Sequence, residues 1–280
     1  MATVRTLKTE KLSPAIGAEV LGVDLDRLQN DEELPGAVMS ALEENGVLLF
    51  RELHVDDHGQ AAFCRKLGKI RLWPENPIPE IFEISLNPEN PQVKRLDPRG
   101  TINWHIDGTI DQAMPVKATI LSAKVVAPQG GETEFVSAYA AYDDLSDEEK
   151  DRFANLRVVH SLEAARRPAF PNPTPEQLAE WKGKTTEHPL VWTHDTGRRS
   201  LVLGESADYV VGMEADEGRA LLRDLLNRAT APDRVFRHSW SVGDMLIWDN
   251  CGVLHRATPY DPASRREMHR CTILGTEAIQ

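Results

Sequence analysis

The segment Asn103-Trp104-His105-Ile106-Asp107 sets an imidazole and a carboxylate two residues apart. In an extended strand that spacing puts both side chains on one face, with Cα atoms about 6.6 Å apart, so both reach one ion. This donor pair suits a divalent metal of intermediate hardness. A second histidine would complete a two-histidine, one-carboxylate facial set that leaves three adjacent coordination positions open, as oxygen chemistry requires. A short His-x-Asp pair also recurs as a solvated strand end, so the assignment depends on a third ligand.

Nine histidines are available. His54 and His58 fall at a loop-to-helix junction. His188, His194 and His238 lie near strand ends with no companion ligand, and these five read as surface or structural residues. His255 differs, because it follows Trp248-Asp249-Asn250-Cys251-Gly252-Val253-Leu254, an apolar strand running into a polar corner, and precedes Arg256-Ala257-Thr258-Pro259. A strand of this kind delivers a side chain to the mouth of a barrel. The competing reading is a core histidine bonded to a backbone carbonyl.

Downstream, Ser264 to Leu274 reads as a strand with cationic residues at its start. If it is regular, Arg266 and Arg270 share a face about 13 Å apart, too far to clamp one small carboxylate together. One guanidinium fork suits the far carboxylate of a chelated dicarboxylic acid, and the other meets a different anion. Upstream, Gly130-Gly131-Glu132-Thr133 is a turn that presents the Thr133 hydroxyl beside the sheet.

The elements that must position these groups are many short strands and a few helices. Helices are expected from Asp31 to Asn45, ended by Gly46, and from Asp57 to Leu67, ended by Gly68. Val47-Leu48-Leu49-Phe50 is a buried strand between them. From Pro79 onward, β-branched and aromatic runs punctuated by Gly, Pro and Asn predict strands at Ile81–Ile84, Ala118–Val126, Val235–Arg237, Met245–Trp248 and Met268–Leu274. Capping boxes at Ser146–Glu149 and Thr174–Gln177 start two further helices. The second lies in a Pro-rich insertion, residues 163–187, whose length suggests an active-site lid. A hairpin is expected around Asp195-Thr196-Gly197 and an amphipathic helix from Glu214 to Ala229. The sum is a single domain over residues 1–280, mainly β with decorating helices around a double-stranded β-helix, or jelly-roll, core.

Bulk properties agree with a globular protein and exclude several classes. Thirty-two Lys+Arg against 44 Asp+Glu give a formal charge of −12, which disfavours a non-specific nucleic-acid binder. The N-terminus has no apolar leader, and no stretch approaches the roughly 20 apolar residues of a membrane span, so a cytoplasmic location is expected. Cys64, Cys251 and Cys271 show no CxxC spacing and read as half-buried thiols rather than disulfides or zinc ligands.

In order and spacing these motifs resemble the taurine dioxygenase and 2,4-dichlorophenoxyacetate dioxygenase family of iron(II)/2-oxoglutarate oxygenases. The resemblance spans nearly the whole chain. It includes Gly17-Ala18-Glu19-Val20, Gly22-Val23-Asp24-Leu25, the His105–Asp107 segment, Gly130-Gly131-Glu132-Thr133, Val159-His160-Ser161, Trp248-Asp249-Asn250 with His255-Arg256-Ala257, and Arg266-Glu267-Met268-His269-Arg270. It implies that His105, Asp107 and His255 hold Fe(II), and that Arg266 and Thr133 bind the C5 carboxylate of the co-substrate 2-oxoglutarate. Arg270 then meets the anionic group of the primary substrate, and O2 is consumed with release of succinate and CO2. The expected partner is a small-molecule anion, a sulfonate, an aryloxyalkanoate or another carboxylate, in a homo-oligomer (dimer or tetramer) that binds neither nucleic acid nor membrane. Thr101 and Ile70-Arg71-Leu72-Trp73-Pro74 depart from taurine-specific members and argue against taurine itself. The alternatives are a desaturase or cyclase using the same chemistry, and a non-catalytic cupin-like metal-binding protein.

Overall fold

Period-two alternation decides which side of each strand meets which layer. The structure is a computed structural model that describes residues 7–87, 98–110 and 116–279. The chain begins with β1 (Thr9–Lys11), β2 (Ala18–Val20), α1 (Leu25–Asn30), α2 (Leu34–Asn45), β3 (Val47–Phe50) and α3 (Asp57–Leu67). It continues through β4 (Phe82–Ser85), β5 (Val116–Val125), β6 (Thr133–Ser137), α4 (Ala138–Asp143), α5 (Asp147–Phe153) and β7 (Arg157–Ser161). The middle section holds α6 (Leu162–Arg166), α7 (Pro175–Trp181), β8 (Thr185–Pro189), β9 (Val191–Thr193), β10 (Arg199–Leu201) and β11 (Ala207–Val210). Last come α8 (Ala215–Ala229), β12 (Phe236–His238), β13 (Met245–Asp249), β14 (Val253–Ala257) and β15 (Glu267–Leu274).

Among the described residues the strands form a major sheet in the order β1-β2-β3-β13-β5-β15-β4 and a minor sheet β12-β6-β14. Two smaller sheets, β11-β7-β8 and β10-β9, decorate them. Pairing is antiparallel except between β2 and β3. Val47, Leu49, Leu121, Leu246, Trp248 and Met268 of the major sheet pack with Phe135, Phe236 and Val253 of the minor one. The alternate residues of the same strands, Leu48, Phe50, Ile120, Ile247 and Ile273, turn the other way to pack with Leu28, Leu34, Val38 and Phe63 of the first three helices. On the far side of the minor sheet, Val136 and Leu254 bury against Tyr142, Leu222 and Leu225. The result is the jelly-roll sandwich with helical covers.

The capping boxes form as expected, with Ser146 and Glu149 at α5 and Thr174 and Gln177 at α7. The hairpin at Asp195–Gly197 joins β9 to β10. Three expectations are corrected. The helix expected from Asp31 begins at Leu34, because Asp31 caps α1 and its carboxylate accepts from the Glu33 backbone, leaving Pro35 in the first turn of α2. Asn103–Asp107 is not a strand: a 3-10 turn at Pro98–Ile102 precedes it, His105 makes only an isolated bridge, and Gly108 follows at φ 86°. The three cysteines are fully buried, because Cys64 and Cys271 sit between α3 and β15 and Cys251 lies under Trp192.

Candidate active site

His255 stands at the middle of β14, opposite Phe135 of β6. Its ring lies against Trp248 at 4.8 Å and Phe135 at 6.4 Å between centroids, which confines the imidazole to one direction. His105 reaches it through the bridge, and the two rings are 4.2 Å apart. Asp107 completes the group. Its Oδ1 is 3.7 Å from His105 Nε2 and its Oδ2 is 3.8 Å from His255 Nε2. Among the described residues this is the one cluster of three His, Cys, Asp or Glu side chains whose ligand atoms all lie within 4.8 Å of one another. Three donors on one face of an ion with bonds near 2.1 Å stand about 3 Å apart, so each histidine–aspartate separation closes by under about 1 Å when a metal is seated.

The protonation states suit that use. His105 Nδ1 donates to the Asn103 carbonyl at 2.7 Å, which leaves the Nε2 lone pair facing Asp107. Burial, reinforced by His105, pushes the His255 imidazole down to about 3, so it is neutral and able to ligate. Burial opposes ionisation of Asp107, yet His255, Arg270, His105 and a hydrogen bond from Thr119 outweigh it and bring the carboxyl down to about 2. Thr119 Oγ1 donates to Asp107 Oδ2 at 2.9 Å and accepts from Asn250 Nδ2 at 2.9 Å. This relay orients the carboxylate from behind.

A cavity of about 200 Å³ opens beside the triad, lined by His105, Asp107, Arg71, Arg270, Thr272 and the α6 residues Leu162, Ala165 and Arg166, among others. Arg270 pairs with Leu121 across β15 and β5, so it faces into the sandwich as Leu121 does. Its Nε is buried without a hydrogen-bond partner among the described residues, and burial pulls its pKa below the usual guanidinium range. Ser206, another wall residue, bonds to the buried His160 Nδ1 at 2.8 Å.

Arg266 lies elsewhere. It precedes β15 rather than belonging to it, and a register shift between Glu267 and Met268 breaks the regular spacing assumed from the sequence. The side chain is only 4% exposed, its guanidinium stands 4.9 Å from the Tyr260 ring, and it lines a neighbouring cavity with Gly131 and Trp240. Thr133 pairs with Ala257 two residues from the Phe135–His255 pair, so it shares the face of His255 about 6.6 Å along the sheet. Trp240 Nε1 donates to Thr133 Oγ1 at 2.9 Å, which leaves the hydroxyl proton to donate to an anion. Trp240, Thr119, Asn250 and the Ser206–His160 pair were not found by sequence reasoning. The Trp248-Asp249-Asn250 and Val159-His160-Ser161 motifs pointed to two of them without giving their roles.

The chain matches the profile of the Taurine catabolism dioxygenase TauD, TfdA family over residues 8–272. It is 33% identical to an alpha-ketoglutarate-dependent 2,4-dichlorophenoxyacetate dioxygenase of Burkholderia sp. (strain RASC), covering 96% of this chain and 95% of that protein. It is 31% identical to an alkylsulfatase of Acinetobacter baylyi, covering 96% and 85%. The crystal structure of AAD-2 in complex with Mn(II) and N-oxalylglycine superposes with a TM-score of 0.83 at 33% identity, over 99% of this chain and 100% of that one.

Proposed function

The chain belongs to the TauD/TfdA dioxygenase family, and from that premise we propose that it is an Fe(II)- and 2-oxoglutarate-dependent dioxygenase of a small organic anion, with His105, Asp107 and His255 as its metal ligands. The observation that carries this reading is the convergence of two neutral-capable imidazoles and one ionised carboxylate beside a cavity walled by arginine. Iron bound there supplies dioxygen activation coupled to decarboxylation of 2-oxoglutarate to succinate, with oxidation of a substrate C–H bond.

The residues of the chain supply position. Arg266 and the Thr133 hydroxyl anchor the C5 carboxylate of 2-oxoglutarate, a role supported for Thr133 by its position two residues along β6 from the partner of His255. Arg270 faces the anionic group of the primary substrate. Thr119, itself held by Asn250, fixes Asp107 through its Oδ2. Residues 163–187 serve as a lid: α6 lines the cavity, Asn103 Nδ2 donates to the Ala165 carbonyl at 3.1 Å, and Phe170 packs on Trp181 at 5.9 Å. Relatives named for a 2,4-dichlorophenoxyacetate dioxygenase and an alkylsulfatase support an aryloxyalkanoate or sulfate-type anion as substrate.

No helix among the described residues is long and apolar enough to cross a membrane, which accords with the cytoplasmic location included in this reading. The family likeness supports a dimer or tetramer, which light scattering tests.

The decisive experiment is succinate release from 2-oxoglutarate over a panel of sulfonates, sulfate esters and aryloxyalkanoates with Fe(II) and O2. Arg266→Ala is expected to raise the KM for 2-oxoglutarate by about tenfold or more, the loss of a charge-assisted contact of about 1.5–3 kcal/mol. Arg270→Ala is expected to weaken the primary substrate instead. No succinate with any substrate, together with no 2-oxoglutarate binding, would return the chain to a non-catalytic metal protein.

A further inference from the structure

The two histidines of the triad each have a chain neighbour that meets its counterpart on the opposite face of β14. Val253 and His255 face into the sandwich with Phe135, so Leu254 and Arg256 face the other way. Trp104 packs on that outer side, in the cluster of Leu254, Val136 and Leu203. The Arg256 guanidinium stands 4.6 Å from the centroid of the Trp104 ring. A buried carboxylate aims it there. Arg256 Nε donates to Glu134 Oε2 at 2.6 Å, and Glu134 is only 1% exposed. Arg237, across β6 on β12, donates to the other oxygen of the same carboxylate at 2.7 Å. With charge-assisted bonds on both oxygens the carboxylate has little freedom, and the direction of Arg256 is fixed.

The segment under this contact is a loop joined to β14 by one bridge. His105 and His255 exchange two backbone bonds, and the Trp104 carbonyl accepts from the Glu205 backbone at 2.9 Å. Gly204 comes so close that an added Cβ would lie 3.0 Å from the Trp104 carbonyl oxygen and 3.2 Å from His105 Cα. These backbone contacts fix where the loop touches β14, but a single bridged pair acts as an axis about which the loop can tilt. Tilting would swing the His105 and Asp107 side chains away from His255. Trp104 is the lever that opposes it, because tryptophan is the strongest aromatic acceptor of a cation and this ring is only 5% exposed. We propose that Arg256 is a positioning residue of the metal site: aimed by Glu134 and acting through Trp104, it holds the loop that carries His105 and Asp107 square to the strand that carries His255. Its effect on the metal rests on the reading of those three residues as the ligands.

Two measurements on the full chain test this. In the first, Mn(II) is titrated under nitrogen. Arg256→Gln is expected to weaken its binding by about tenfold, the lower end of what the loss of an outer-shell partner costs. Arg237→Gln removes the other bond to Glu134 without touching Trp104, and it should stay within about twofold of the wild type on the same scale. Arg256→Lys keeps a cation for the ring and is expected to recover most of the loss. The second measurement is hydrogen exchange in the metal-free protein. Arg256→Gln should speed exchange at the bridging amides of His105 and His255 by about tenfold while the amides of β13 keep their wild-type rates, a local opening rather than a global one. Glu134→Gln, which weakens the aim of Arg256, should give the same two changes in smaller measure, and it decides the matter if the Arg256 variant fails to fold. Unchanged Mn(II) affinity in the folded Arg256→Gln variant, an equal loss in Arg237→Gln, or faster exchange spread through β13 overturns the proposal. If the wild type takes up no Mn(II), or Asp107→Ala binds it as tightly, the ligand assignment falls instead, and the exchange rates still decide whether Arg256 holds the loop.

Discussion

The backbone of His105 donates to the carbonyl of His255 at 3.1 Å, and the backbone of His255 returns the bond to His105 at 2.9 Å. This reciprocal pair ties a loop from the first half of the chain to a strand near its end. The spacing of the two imidazoles is therefore set by main-chain geometry rather than by side-chain rotamers. Asp107 then needs only the turn closed by Gly108 to complete the set.

A preformed site of this kind gains stability when a cation enters it. Fe(II) without oxygen, or Mn(II), at about 100 times its dissociation constant adds about 2.7 kcal/mol, which in a protein of this size raises Tm by several degrees. Differential scanning fluorimetry with and without EDTA measures the shift. Asp107→Ala is expected to abolish it; an undiminished shift in that variant places the ion elsewhere.

Thr119 gives a finer test. Thr119→Val keeps the volume of the side chain but removes the donor to Asp107 Oδ2 and the acceptor for Asn250. Loss of such an outer-shell partner weakens metal affinity by about 10- to 100-fold. Metal titration with and without the substitution checks this, and an unchanged affinity would mean that the relay is only structural.

The contrast between these residues shows what the sequence carried. His255 was legible because an apolar strand, a polar corner and a following Arg-Ala-Thr-Pro segment mark a local place at the barrel mouth. Thr119 was not, since a threonine in a run of strand residues is an ordinary β former, and its partners Asp107 and Asn250 come from distant segments. Trp240 was hidden for the same reason, as its bond to Thr133 depends on how the β12 and β6 segments meet. The His105–Asp107 pair was found through the wrong local geometry. Period two in a strand and a bridge followed by a Gly108 turn both bring the two side chains together, and short-range spacing does not distinguish them.

Acid stability follows from the neutral buried histidines. Burial holds His160 down to about 3 and His194 to about 4, and it lowers His188 as well. An unfolded imidazole titrates near 6.5, so below that pH the unfolded state binds more protons than the folded one. The stability these groups contribute is present above about pH 6.5 and is lost as pH falls toward the folded values, about 2 kcal/mol each for His160 and His194 at pH 5. Urea unfolding at successive pH values measures the loss. His194→Gln, which can keep a bond to Ser200, is expected to flatten the curve by its share; a wild-type curve level between about pH 7 and about pH 5 contradicts the account.

Gly131 ties the turn to Arg266, the proposed co-substrate anchor. It sits at φ 75°, and a Cβ there would lie 2.9 Å from both Cδ and Nε of Arg266. Gly131→Ala therefore strains the backbone and also displaces the guanidinium that the proposed mechanism assigns to 2-oxoglutarate. Gly197 separates the two effects, because it has a similar φ of 82° in the β9–β10 hairpin with nothing within 4 Å of an added Cβ. Both alanine variants are expected to lose about 1 kcal/mol of stability. Only Gly131→Ala should raise the KM for 2-oxoglutarate, by several-fold, while leaving the metal-dependent thermal shift intact, because Arg266 lies outside the ligand set. A KM that stays at the wild-type value in Gly131→Ala, or rises equally in Gly197→Ala, removes Arg266 from the co-substrate site.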